Sequence, residues 1–250
     1  MKRTYLTLAN SYLLLHFFLL VPETFAQNLP VAVSTPSQLR FIPNSSSTQL
    51  SDPPPILTGS KGGTRGNCPI AISTQKTELI QLTPNPLVPN QTSWSATSTP
   101  SILVYNPHSG KTPLLATMLL RDAKDDSRVS IAPITITLPT SPGIVKVPLT
   151  QPLEPKRLYR WYFKVICNPE DNSKNPDVSG LVRWVPPTPD LQKQIVGANT
   201  RQQAALYAEN GYWYDALELL AKDPISPDWA EFLKSGSADL KAIASEKVLP

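Results

Sequence analysis

The sequence predicts a mainly β protein: an antiparallel β-sandwich, immunoglobulin-like in architecture without being a true immunoglobulin domain, followed by a small helical segment at the carboxyl end. Three observations predict it. The 28 prolines among 250 residues break up long helices over most of the chain. Short apolar runs separated by turn residues recur from Cys68 to about Val185, the pattern of many short strands. After Val185 the apolar period lengthens from two to that of helices, and helix-capping residues appear at the breaks.

The elements follow in order. Residues 1–26 read as a secretory signal peptide: Lys2 and Arg3 form a basic start, Leu13 to Val21 an apolar core, and Thr24-Phe25-Ala26 a small-x-small cleavage signature. The apolar run is shorter than the ~20 residues a membrane-spanning helix needs, so no membrane span is expected after cleavage. An exported chain in the periplasm or outside the cell follows. Removal of the leader takes Lys2, Arg3 and Glu23 from the 23 basic and 19 acidic side chains, leaving a net charge of about +3. That balance gives no dense basic stripe, so nucleic acid is not an expected partner.

Residues 27–67 are rich in Pro, Ser, Thr and Asn, with Ser45 to Ser47 and Pro53 to Pro55 as homopolymer runs, and read as a disordered or extended tether. The tether ends in GSKGGTRGNCP, Gly59 to Pro69, four glycines threaded with Lys61 and Arg65. A Walker-type phosphate loop needs lysine and a hydroxyl residue directly after the last glycine, then a helix. Here Lys61 precedes Gly62 and Gly63, and CPIAIS reads as a strand. The loop therefore reads as a flexible lead-in to Cys68, with anion binding by its amides as the alternative.

Residues 68–186 form the predicted sandwich. Strands are expected at Pro69 to Ser73, Leu79 to Leu82, Ile102 to Tyr105, Leu114 to Leu120, Val129 to Leu138, Ile144 to Leu149, Leu158 to Cys167 and Val178 to Val185. In the fifth of these, Val129 and Ile131 share a parity while Ile134, Ile136 and Leu138 take the other, with Pro133 at the change. That slip predicts a β-bulge in an edge strand. In LYRWYFKVIC, Tyr159, Trp161, Phe163, Val165 and Cys167 alternate with Arg160, Tyr162 and Lys164, and the first set is expected to face the core.

Residues 187–250 form the helical segment. Thr188 and Pro189 open a helix, Thr200 to Gln203 has capping-box form, Asn210-Gly211 ends the second helix, and Trp213, Ala216, Leu217 and Leu220 mark one face of a third. Ser226-Pro227 opens a fourth with Gly236 as its stop, and Ser237 caps a fifth. Tyr207, Gly211, Trp213 and Ala216 occupy the aromatic, glycine, aromatic and small positions of a tetratricopeptide-like helix hairpin. One such unit cannot bury its apolar face alone and must dock on the sandwich or on a partner.

Candidate chemistry is sparse. Cys68 and Cys167 are the only cysteines, and in an exported chain their expected state is a disulfide; a reactive thiol pair lacks a Cys-x-x-Cys spacing. His108 is the only histidine after the leader, in Asn106 to Gly110, read as an exposed hairpin tip poorly suited to a catalytic triad or a zinc site. Asp122, Asp125 and Asp126 in one loop and Glu170, Asp171 and Asp177 in another read as solvated turn charges rather than a calcium site or a glycosidase pair. No cofactor, metal or catalytic residue is expected.

Two binding readings remain. In the first, a non-enzymatic structural or protein-interaction module of the cell envelope contacts a protein partner through Tyr212, Tyr214 and Trp229 of the helical end. In the second, Trp94, Tyr162 or Trp184 stacks on the sugar rings of an envelope polysaccharide. A hydrolase with a carboxylate pair ranks third.

Three motifs carry a family resemblance: TRGNCP at Thr64 to Pro69; YRWYFKVICNP at Tyr159 to Pro169 followed by V-x-G-x-V-R at Val178 to Arg183; and LYAENGYWYDAL at Leu206 to Leu217. With them the chain resembles a family of exported cyanobacterial proteins classed as a domain of unknown function. The resemblance implies secretion and a β-rich body with a helical end, and no established activity. Asn172 stands where the family resemblance implies an arginine.

Overall fold

The structure is a computed structural model, and it describes residues 39–43, 78–84, 93–125 and 129–249. Contacts divide the chain into Met1–Ser34 and Thr35–Pro250, and every described residue lies in the second unit. The expected signal peptide, the glycine loop, Cys68 and the strand at Pro69 to Ser73 lie outside the described residues.

Among the described residues eight strands form two sheets. A three-stranded antiparallel sheet has the order β1 (Ile80–Gln81), β3 (Ser101–Asn106), β6 (Gly143–Pro148). A five-stranded mixed sheet has the order β2 (Trp94–Ser95), β8 (Asp177–Trp184), β7 (Leu158–Ile166), β4 (Leu115–Asp122), β5 (Val129–Thr137), antiparallel except where β2 joins β8 in parallel. The two-residue β2 carries no periodic signal of its own, which is why periodicity missed it.

Register explains the larger sheet. Residues directly opposite share a face. Leu120, Trp161 and Gly180 therefore lie in one row, and Met118, Phe163 and Val178 in the next. All of these side chains are buried, so the predicted core face of β7 is the observed one. Gly180 is required by close approach: a Cβ there would sit 2.5 Å from the Trp161 ring. The predicted bulge is present. On the outermost strand, β5, three steps from Ile131 to Ile134 span two on β4, so both isoleucines oppose core-facing residues despite their different parity.

Five helices follow: α1 (Pro189–Val196), α2 (Thr200–Glu209), α3 (Trp213–Leu220), α4 (Pro227–Gly236) and α5 (Ala238–Ala242). Thr188, Ser226 and Ser237 accept the amides of Leu191, Trp229 and Leu240 as N-caps. The capping box of α2 begins one residue earlier than expected: Asn199 is the cap and Gln202 reaches back to its amide. Gly211, with φ 79°, turns the chain between α2 and α3.

Among the described residues the main apolar core collects residues of both sheets and of the helices: Met118, Trp161 and Phe163 from the larger sheet, Ile102 and Val104 from the smaller, Trp213, Trp229 and Phe232 from the helices. Two groups of residues depart from the sequence reading. Leu39 and Phe41, inside the stretch read as a continuous tether, are buried in this core. His108 is buried at 4% exposure rather than displayed at a tip, because Asn106 Oδ1 accepts its amide and its Nε2 lies 3.2 Å from the Thr112 carbonyl.

Candidate functional site

The helical end is built as a joint. On α3, Tyr214 Oη accepts a 2.9 Å hydrogen bond from Trp161 Nε1 and donates at 2.8 Å to the Leu181 carbonyl, tying the helix to β7 and β8. Complete burial drives its hydroxyl pKa well up, so it stays a neutral donor. Trp213 Nε1 donates to the Leu82 carbonyl, and its ring stacks on Phe232 at 4.4 Å between centroids. Tyr212 packs edge-on against Trp94 at 5.7 Å, its hydroxyl pushed up to about 12 by burial, with Asp215 and Tyr207 adding to the shift.

The three residues expected to meet a partner are therefore core. Tyr212 is 3% exposed, Tyr214 1% and Trp229 0%. An amphipathic face read from sequence does not say what covers it, and here sheets and neighbouring helices cover it completely. As placed, none of the three offers a surface.

The sugar-stacking candidates fare similarly. Trp94 is buried against Leu191, Leu206 and Tyr212. Trp184 is half-buried, packs on the main core, and donates its Nε1 to the Ala96 carbonyl at 3.2 Å. Tyr162 is half-buried with the Arg121 guanidinium 5.8 Å from its ring centroid. The three do not form an exposed coplanar platform.

Cys167 follows β7 half-buried, its amide donating to Asn175 Oδ1 at 2.9 Å. Cys68 lies outside the described residues. The carboxylate loops are structural where described. Asp122 accepts Arg157 Nε and Nη2 at 3.0 and 2.5 Å. Its desolvation, which alone would raise the pKa, is outweighed by the Lys124 amide and Arg157, so it is held below the usual carboxylate value. Asp171 is lowered by the Ser173 hydroxyl and amide, which it caps. Among the described residues no three His, Cys, Asp or Glu gather to hold a metal ion, and no helix is long and apolar enough to cross a membrane.

Two features escaped the sequence. The first is Asp215, 7% exposed, whose Oδ2 accepts the Ala96 amide at 2.7 Å and clasps α3 to the segment after β2. Burial raises its pKa to about 7, against the lowering effect of backbone amides. Nothing in the spacing of LYAENGYWYDAL marks it as buried.

The second is the outward face of the larger sheet. Arg121 on β4 lies directly opposite Arg160 on β7, which lies opposite Leu181 on β8. The next row is Leu119, Tyr162 and Ser179, and the next Thr117, Lys164 and Asp177. Among the described residues the buried Arg160 Nε has no hydrogen-bond partner, while Lys164 Nζ donates to Asn172 Oδ1 at 3.2 Å. Asn172 thus orients a lysine on this face from the position where the resemblance implied an arginine. Cross-strand register brings the two arginines together, and spacing in sequence, 121 against 160, gives no sign of it.

With fold and surface defined, the comparisons place the chain. It belongs to a family of proteins of unassigned activity: the family model described as Domain of Unknown Function (DUF928) matches residues 60–248. No curated protein matches the chain.

Proposed function

We propose that this protein is a non-enzymatic interaction module of the cell envelope, exported by a cleaved signal peptide to the periplasm or beyond. Its contact surface is the outward face of the five-stranded sheet, around Arg121, Arg160, Tyr162 and Lys164, and its partner is an envelope protein with an acidic face. The finer fold reading belongs with this: the two sheets form an antiparallel sandwich closed by a Cys68–Cys167 disulfide, and α2–α3 is a tetratricopeptide-like hairpin spent on packing. The core residues that both sheets contribute support the sandwich, and the Gly211 turn beside fully buried Ala216 supports the hairpin.

Arg160, directly opposite Arg121 and with its Nε buried, carries the functional reading. Like charges directly opposite across a ladder destabilise it, and a buried Nε without a partner costs more. An anionic partner that supplies an acceptor to Arg160 Nε offsets that cost. The sugar-stacking reading loses its aromatic platform to burial and to the cation over Tyr162, which leaves an acidic polysaccharide as the competing ligand.

The test replaces Thr117, half-buried on the same face, by a photoreactive phenylalanine analogue and irradiates the protein in its native envelope. Capture of one acidic-faced protein, lost on adding Arg160→Glu while the fold is retained, is the expected result. Failure to capture, or capture indifferent to Arg160→Glu, overturns the proposal. Binding of the same protein to alginate but not to neutral dextran would move the assignment to polysaccharide.

A further inference from the structure

The segment Leu39-Arg40-Phe41-Ile42-Pro43 lies outside the matched family region, which begins at residue 60. From Leu39 to Ile42 the side chains alternate in burial, Leu39 1% exposed, Arg40 out, Phe41 4% and Ile42 50%, and Pro43 is exposed. That period of two is how an extended peptide presents alternate residues to a surface.

Main-chain hydrogen bonds hold it. The Phe41 amide donates to Ser235 Oγ on α4 at 3.0 Å, and the Ile42 amide to the Ala208 carbonyl at the end of α2 at 3.0 Å. Ser235 Oγ in turn donates to the Phe232 carbonyl at 2.6 Å, which fixes it as an acceptor for the peptide. The Phe41 ring meets the Trp213 face edge-on, 5.0 Å between centroids and 86° between planes. The receiving residues Ala208, Trp213 and Ser235 lie within the family match, and the peptide does not. Amides of the peptide bonded to the domain, with alternate side chains buried in it, are the parts of an extended-peptide recognition site.

We infer that the helical segment of this domain is a peptide-binding groove specific for an extended Leu-x-Phe sequence, and that residues 39–43 are its ligand, bound in cis. Phe41 and Ile42 make these bonds and the ring contact themselves, so the groove recognises the peptide without its covalent connection to the domain. Specificity resides in the two buried side chains, and the amide bonds set direction. The inference stands apart from the proposed contact face and is tested separately.

The experiment places a site-specific protease sequence between Asn44 and Ser60 of the full mature chain, cleaves it, and follows the amino-terminal fragment by size-exclusion chromatography. At ten micromolar protein the fragment is expected to co-elute with the body. A hundredfold excess of synthetic peptide covering Ser37 to Asn44 should displace it, and the same peptide with Leu39→Ser and Phe41→Ser should not. Loss of the fragment on cleavage, displacement by both peptides alike, or retention against the matching peptide each overturns the inference. As a second readout, full-length Phe41→Ser that stays folded should bind the fluorescent peptide at least tenfold more tightly than the intact chain does.

Discussion

The helical end and the outward face of the larger sheet are opposites in how they use their residues. The helical end spends its aromatic side chains on joining: Tyr214 bonds β7 and β8, Trp213 bonds the Leu82 carbonyl, and Trp229 is sealed inside. The sheet face keeps half-exposed cations and, among the described residues, leaves Arg160 Nε without an acceptor. The difference teaches that large aromatics in a short amphipathic hairpin measure how much surface must be covered, whereas polar and cationic side chains on a sheet face are left for solvent or a partner. Substitutions at the joint should therefore change stability, and those on the face should change binding.

The largest effect tests the joint. Trp213→Ala removes a fully buried ring and its hydrogen bond, and should lower unfolding free energy by about 3–5 kcal/mol in urea titration. A loss below ~1 kcal/mol would break the contrast.

Asp215 comes next and has a definite sign. Its folded pKa, raised from 3.8 to about 7, means that the folded state holds the proton more tightly. Its contribution is fully present below about pH 3.8 and is lost as pH rises towards 7, by at most about 4 kcal/mol. Asp215→Asn keeps an acceptor for the Ala96 amide without the charge. The stability of this variant relative to the parent, measured at pH 4 and pH 8, should improve with pH; an unchanged difference would show that the carboxylate is hydrated.

Tyr214→Phe leaves Trp161 Nε1 and the Leu181 carbonyl without their hydroxyl. A loss of about 1–3 kcal/mol is expected, read from thermal unfolding. At the other end, Arg160→Gln relieves the Arg121 repulsion and should leave stability within about 1 kcal/mol of the parent, or raise it, while weakening partner capture. Strong destabilisation by this change would erase the distinction between joint and face.

Much of this architecture is legible in sequence for local reasons. Alternation along Tyr159 to Val165 gives the core face of β7, because side-chain direction in a strand depends only on parity. The parity slip at Pro133 gives the bulge, and Thr188, Ser226 and Ser237 give three helix starts through their own hydroxyls. The helix break at Gly211 follows from a backbone angle that glycine adopts readily.

The site was less legible. Burial of Tyr212, Tyr214 and Trp229, the Arg121–Arg160 pair, the Asp215 clasp and the docking of Phe41 on Trp213 all join residues far apart along the chain. Sequence by itself determined which residues alternate, cap and turn, since those depend on neighbours a few positions away. Tertiary structure alone decided which faces are covered and which charges meet, because packing and cross-strand register are set by partners that chain position does not specify.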